Sequence, residues 1–546
     1  ATAQPAPAPT SSATSTATRT RTFTRRPYAS RGTGPPLASY DVGDLLLRET
    51  RIVPLTGDPA SGDPVDVLVS DGVVTAVGEA LARPDGVEEV RAGGRWLVPG
   101  LWDQHVHLGQ WTLSRQRVDT GPLGSPEEAC VLVAGLVSAD PGRPVIGFGH
   151  RPGVWTRDAT VAELDAVSGV TPVVLIAGDA HHAWLNSAAL AALGLGARDE
   201  VVRENEWFAA YELLTRLTGD AGDGPAAYRS SLDAAAAQGV VGLVDYEFAG
   251  GADEWRARWH DGCDLLRVRM ASYADRLESV IEAGLRTGTP LVEGDDRLVM
   301  GSLKIISDGS LNTRTAWCCE PYADGDRLDQ PSGAANLAPH ELSALLSRAH
   351  MSGLHVATHA IGDAALTAAL DAYAATGANG SIEHAQLVAH DDVVRLAGLG
   401  LRASVQPAHL LDDRDLTELI WPGRGDRSFA FRWMLDAGAR LVLGSDAPVS
   451  PLDPWLAIGA AVHRGWVDDD RDAWHPEHAL TPQEALAASV DEQPTVAVGS
   501  RADLALLDHD PLAPATSARD AAAALRRTTV ALTVVGGRTV HRSPGL

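Results

Sequence analysis

LVPGLWDQHVHLG, residues 97–109, decides how the rest of the chain is read. The apolar LVPGLW reads as a strand, with His105 and His107 at its C-terminal end. Residues two apart on a strand point to the same side, so both imidazoles can reach one point. In a barrel of parallel strands that point lies at the C-terminal rim, where such barrels place their sites. An HxH pair alone is equally compatible with two packed or exposed histidines. Its strand-end position is what gives it weight.

Downstream, short apolar runs alternate with Ala- and Leu-rich stretches. The strand candidates are PVVLIAG (172–178), VVGLVDY (240–246), RVRMASY (267–273), LVMGSLKIIS (298–307), GLHVATHA (353–360), GSIEHA (380–385), LRASVQP (401–407) and ARLVLGSDA (439–447). SLDAAAAQ, ELSALLSRAH and DAALTAALDAYAATG between them read as helices. Such alternation over about 400 residues predicts an α/β chain with a (β/α)8 TIM-type barrel. An open doubly wound sheet is the alternative, but no GxGxxG follows the first strand and no P-loop occurs.

Both chain ends have a different texture. DLLLRETRIVPL and VDVLVSDGVVTAVG near the start, and ADLALLDHD and TTVALTVVGGRTV near the end, are strand runs cut by Gly, Asp and Pro. They predict a small composite β-sandwich from residues 41–97 plus 497–546, beside a barrel at 98–496. Residues 1–40 are rich in Ala, Thr, Ser and Pro, carry five arginines and have no acidic residue. An Arg- and Ser-rich, acid-poor start can mimic a targeting peptide; it reads here as a disordered extension.

The formal net charge of −26 and pI near 5.0 exclude nucleic acid and anionic membranes as expected partners. Cys130, Cys263, Cys318 and Cys319 form no CxxC pattern. That suits a reducing compartment such as the cytoplasm. No apolar run approaches the length of a membrane span.

Three further strand ends carry side chains of one chemical kind: His359 in ATHA, His384 in SIEHA and Asp446 in LGSDA. Buried imidazoles and a carboxylate cost desolvation unless something pairs with them, and a divalent metal does so. Lys304, in LVMGSLKIIS, is the single lysine among 45 basic residues. Arginine would serve a salt bridge, to Asp308 for example, at least as well. A neutral lysine can instead add carbon dioxide. The resulting carbamate can bridge two divalent ions roughly 3.5–4 Å apart, the spacing of hydrolytic two-metal sites.

HxH after the first barrel strand, a strand lysine, two later strand-end histidines and a final strand-end aspartate resemble the amidohydrolase superfamily. More narrowly, DAHHAWLNSAAL, DGSLNTRTA, THAIGDAA, IEHAQ and GSDAPV resemble its YtcJ-like branch (amidohydrolase family 3), which includes N-substituted formamide deformylases. The resemblance spans residues 45–546. It implies a metal-dependent hydrolase of carbon–nitrogen bonds acting on a small-molecule amide, N-acyl or N-formyl amine, and a homodimer. It implies that His105, His107 and Asp446 hold one ion and His359 and His384 the second, with carbamylated Lys304 between them. Asp446 would take the proton of the attacking water, and His181 would contact the substrate or its oxyanion. Imidazole and carboxylate ligands suit zinc, and manganese, iron or cobalt could occupy the same site. Two positions depart from the branch: Ala180 and Asn312 stand where glycine is usual.

Trp184, Arg314 and Trp317 lie beside these motifs and are candidates for the substrate wall; packing is the plainer reading of each tryptophan, while for Arg314 a substrate carboxylate and an ion pair with Asp308 or Glu320 are equal readings. Asp363 could orient a ligand histidine or cap the following helix. A metal-assisted isomerase or lyase on the same scaffold is an alternative function, as is a barrel that only binds.

Overall fold

The computed structural model describes residues 43–546 apart from 59–61, 212, 219–221, 223 and 249. The extension expected at residues 1–40 lies outside the described residues. LVPGLW turns into the first barrel strand at its C-terminal half: β1, Leu101–Val106, is buried at all six positions. Only Leu101 and Trp102 of the apolar LVPGLW belong to it; Asp103, Gln104 and His105 are buried polar positions within the strand. Seven more follow in chain order: β2 Val240–Asp245, β3 Arg267–Tyr273, β4 Asp295–Ile306, β5 Val356–Ala360, β6 Gly380–His384, β7 Arg402–Val405 and β8 Arg440–Leu443.

Each of these strands pairs in parallel with the next, so spatial order equals sequence order. Helices cover the outside, among them Pro225–Ala236, Pro339–Met351, Asp363–Thr376 and Pro454–His463. The ring is nearly closed. Just beyond β8, the Asp446 N–H donates to the His105 carbonyl at 2.7 Å, and the His107 N–H donates to the Ala447 carbonyl at 2.9 Å. Deeper in the barrel β1 and β8 part, and residues 488–489 fill the seam. The Trp102 N–H donates to the Ser489 carbonyl and the Leu443 N–H to the Ala488 carbonyl. Gly444 permits the close approach at the top, since a Cβ there would lie 2.7 Å from the His105 backbone nitrogen.

PVVLIAG belongs elsewhere, a correction to its place among the barrel candidates. Val173–Ala177 is the centre of a separate five-stranded sheet, with Val118–Asp119, Val145–His150, His182–Leu185 and Val202–Arg203, inserted between β1 and β2. Its parallel pairing with Val145–His150 gives it the same fully buried, apolar character as a barrel strand. Another sheet takes strands from both chain ends. Leu45–Ile52 and Trp96–Pro99 sit in it beside Leu504–Leu507 and Val530–Val535, around an apolar cluster that includes Leu47, Val69, Leu97, Leu506 and Leu532.

Candidate metal centre

The C-terminal barrel rim gathers the side chains that the sequence pointed to. His105 and His107, two apart on one strand, place their ring centroids 5.7 Å apart. Asp446 comes across the closing seam: its Oδ1 lies 3.3 Å from His105 Nε2 and 3.4 Å from His107 Nε2. Lys304 rises from β4 with Nζ 3.4 Å from His105 Nε2 and 4.4 Å from the Tyr246 ring centre. The His384 ring stands 5.0 Å from that of His105 and 4.5 Å from that of His359. His384 and Asp446 have φ of 71° and 56°. Left-handed backbone costs a non-glycine residue of order 1–3 kcal/mol and persists where the surroundings enforce it, commonly at sites.

Burial and charge set the protonation states. Burial pushes the Lys304 amine down to about 8, against the pull of Glu383 and Asp446. Burial, then the Lys304 charge, lowers His105 to about 4. Its Nδ1 lies 2.7 Å from Glu383 Oε2. Burial alone would raise Glu383, but its bond to His105 and the neighbouring positive charges hold it at about 2. The neutral imidazole therefore donates its Nδ1 proton to Glu383, and its Nε2 lone pair faces Asp446 and Lys304. Burial would also raise Asp446; the imidazoles of His105, His107 and His384 hold it well below the usual carboxylate range.

These donors fit divalent ions. One ligand atom from each of His105, His107 and Asp446 lies within 4.8 Å of the others, and the same holds for His384, His409 and Asp446. His107 Nδ1, His384 Nδ1 and His409 Nε2 are buried without a hydrogen-bond partner. Unsatisfied buried nitrogens are costly, and imidazole nitrogen with carboxylate oxygen is the usual donor set of zinc-type ions.

One cavity of about 1470 Å³ is lined by His105, His107, Lys304, His359, His384, Asp446 and His181. Trp184, Arg314 and Trp317 are not on its wall. Trp184 is fully buried in the inserted unit, its indole N–H donating to the Thr160 carbonyl at 2.7 Å. Arg314 pairs with Asp324 at 2.7 Å. Trp317 packs against the main core. Asp363 reaches no histidine: it accepts from the Cys319 N–H and pairs with Arg427. Asp308, weighed above as a partner for Lys304, does that orienting work. Its Oδ1 lies 3.3 Å from His359 Nε2, and its carboxylate accepts from the Ile361, Gly362 and Trp317 N–H groups.

Sequence reasoning missed two neighbours of the cluster. Glu383 is an acid inside a strand buried at four of its five positions, which had to be paired, and the acid next to a strand-end histidine was the available signal. His409 follows β7 at the start of helix His409–Ile420, with Nε2 3.8 Å from Asp446 Oδ2. Ala180, in place of the usual glycine, adopts φ 59°, the left-handed conformation that glycine tolerates best.

Residues 88–541 match the profile of the amidohydrolase family. The Arabidopsis thaliana protein LONG AFTER FAR-RED 3 is 31% identical over 514 residues, covering 86% of this chain and 84% of that one. An N-substituted formamide deformylase from Arthrobacter pascens is 27% identical over 519 residues, covering 82% and 91%. The crystal structure of an uncharacterized metal-dependent hydrolase from Pyrococcus horikoshii OT3 superposes with a TM-score of 0.70 at 26% identity, covering 86% of this chain and 99% of that one. With the profile spanning most of its length and the rim cluster in place, the chain belongs to the amidohydrolase family.

Proposed function

We propose that the chain hydrolyses a carbon–nitrogen bond of a small amide, N-acyl or N-formyl amine at this rim, using two divalent ions, zinc by donor type. The observation that carries the reading is the pair of ligand sets that share Asp446. Lys304 stands beside them, buried and with no carboxylate within 4.0 Å among the described residues. His105, His107 and Asp446 would hold one ion, and His359 and His384 the second; His359 lies outside both sets, and His409 stands with His384 and Asp446 in the second. Lys304 would link them as a carbamate, formed when its neutral amine adds carbon dioxide and releases a proton. When bound, such ions polarise a carbonyl and ionise water near neutral pH.

The rest of the chemistry falls to the chain. Asp446, ionised and at the centre of the cluster, accepts the proton of the attacking water and returns it to the leaving nitrogen. Glu383 fixes the tautomer of His105. His181, on the same cavity, donates a hydrogen bond to the developing oxyanion. The deformylase activity in the name of the Arthrobacter relative supports an N-formyl or N-acyl amine as substrate. No helix among the described residues is long and apolar enough to cross a membrane, and we place the reaction in the cytoplasm. We further propose that the sheet shared by the chain ends is a sandwich domain, residues 41–97 plus 497–546, beside a barrel domain at 98–496; its separate apolar cluster supports this.

The test is a mass-resolved assay of N-formyl and N-acyl alkylamines in 18O-labelled water. Hydrolysis puts one labelled oxygen in the acid product and releases the amine. A product isomeric with the substrate, or elimination without uptake of water, would contradict it.

A further inference from the structure

His181 sits in a seat built from both of its sides. Its N–H donates to Asp179 Oδ1 at 3.1 Å, and its carbonyl accepts from the Glu204 N–H at 2.8 Å. The preceding Ala180 holds φ 59°, with its carbonyl bound by the indole N–H of Trp207 at 3.0 Å. Glu204 itself holds φ 48°. Two left-handed non-glycine residues around one histidine show backbone held against its own preference.

The side chains complete the arrangement. Glu204 Oε2 lies 3.0 Å from His181 Nδ1. Its Oε1 accepts from the Thr315 hydroxyl at 3.3 Å. Thr315 belongs to DGSLNTRTA, which follows β4, whereas Glu204 and His181 belong to the inserted unit. Glu204 thus ties the insertion to the barrel loop beyond Lys304.

We propose that Glu204 is the positioning residue of His181: it takes the Nδ1–H hydrogen bond, fixes the ring, and turns Nε2 toward the cavity. This rests on the reading of His181 as the oxyanion contact. A carboxylate on Nδ1 holds a proton there, so Nε2 carries one as well only when the ring is a cation. The edge of the Phe208 ring, 5.5 Å away at 71°, limits rotation of the imidazole. Burial would lower the His181 pKa, but the bond and charge of Glu204, with Asp179 and Asp446, raise it to about 9. The ring is then a cation at neutral pH, suited to a developing negative charge.

The experiment is 15N-histidine NMR on the zinc-loaded full chain, with His181 identified by the signal lost in His181→Gln. In the unmutated protein at pH 7, Nδ1 is expected to be protonated and the ring midpoint to lie above the ordinary histidine value, raised by the bond and charge of Glu204. In Glu204→Gln the midpoint should fall toward about 6.5, and Glu204→Asp should restore part of the shift. With N-butylformamide as probe, Glu204→Gln should lower kcat roughly 100-fold, the scale of one oxyanion donor, with KM little changed. An unprotonated Nδ1 in the unmutated protein overturns the proposal even if no variant folds. So does an unmoved midpoint in folded, zinc-loaded Glu204→Gln. If instead the NMR results hold but His181→Gln keeps full turnover, the oxyanion reading fails while the positioning stands.

Discussion

Glu383 is the residue on which the metal reading leans hardest after the ligands themselves. It is wholly buried, ionised, and joined to His105 at 2.7 Å, with the Ser381 hydroxyl and Tyr246 phenol on its other oxygen. Replacing it by glutamine keeps the shape and removes the charge that orders His105. Glu383→Gln is expected to weaken divalent-ion affinity about 10- to 100-fold, read by competition with a chelator. Unchanged affinity would leave Glu383 a structural acid only. At this scale the sequence exposed the proposed ligands but hid their partners. His105, His107, His359, His384 and Asp446 each end an apolar run. The Glu383–His105 bond joins residues 278 positions apart, and no local pattern announces such a pair. Trp184, Arg314 and Trp317 lie beside the motifs in sequence but off the cavity wall. Closeness to a motif along the chain is not closeness to the cavity, and a buried tryptophan needs only an acceptor for its N–H.

Among the elements, the barrel strands were legible because parallel strands covered on both faces bury most of their positions. The same physics makes Val173–Ala177 look like one of them, although it belongs to the inserted sheet. The core of that insert is where Trp184 acts. Trp184→Phe should destabilise the fold by about 2 kcal/mol, through an unpaired Thr160 carbonyl and lost volume, and leave KM unchanged. Denaturant unfolding alongside steady-state kinetics checks both; a large rise in KM would return Trp184 to the substrate wall. The insert also carries a pH signature. His181 titrates near 9 when folded and near 6.5 when unfolded, so the native state binds more protons between those values. The stabilisation from the Glu204 pair is therefore full below about 6.5 and fades as pH rises through 9. The stability difference between the unmutated protein and Glu204→Gln should shrink across that interval, and a difference that grows with pH would contradict the pairing.

At the scale of the whole molecule, fold and site share one device. The bonds that draw the first and last strands together involve the backbone of His105, His107, Asp446 and Ala447, so the two ends of the barrel meet through three of the residues proposed to hold metal. An ion bound there ties the same seam a second time, through side chains. The family and the rim were readable from sequence because strand ends converge in any such barrel; the near-closure and the filling of the lower seam by residues 488–489 were not, since they depend on how β1 and β8 diverge. The most direct test of the central claim is divalent-ion content per chain, measured by elemental analysis on protein purified without chelators in bicarbonate buffer. The account predicts about two ions, as in two-metal hydrolytic sites. No bound ion, even after reconstitution with zinc, would contradict it.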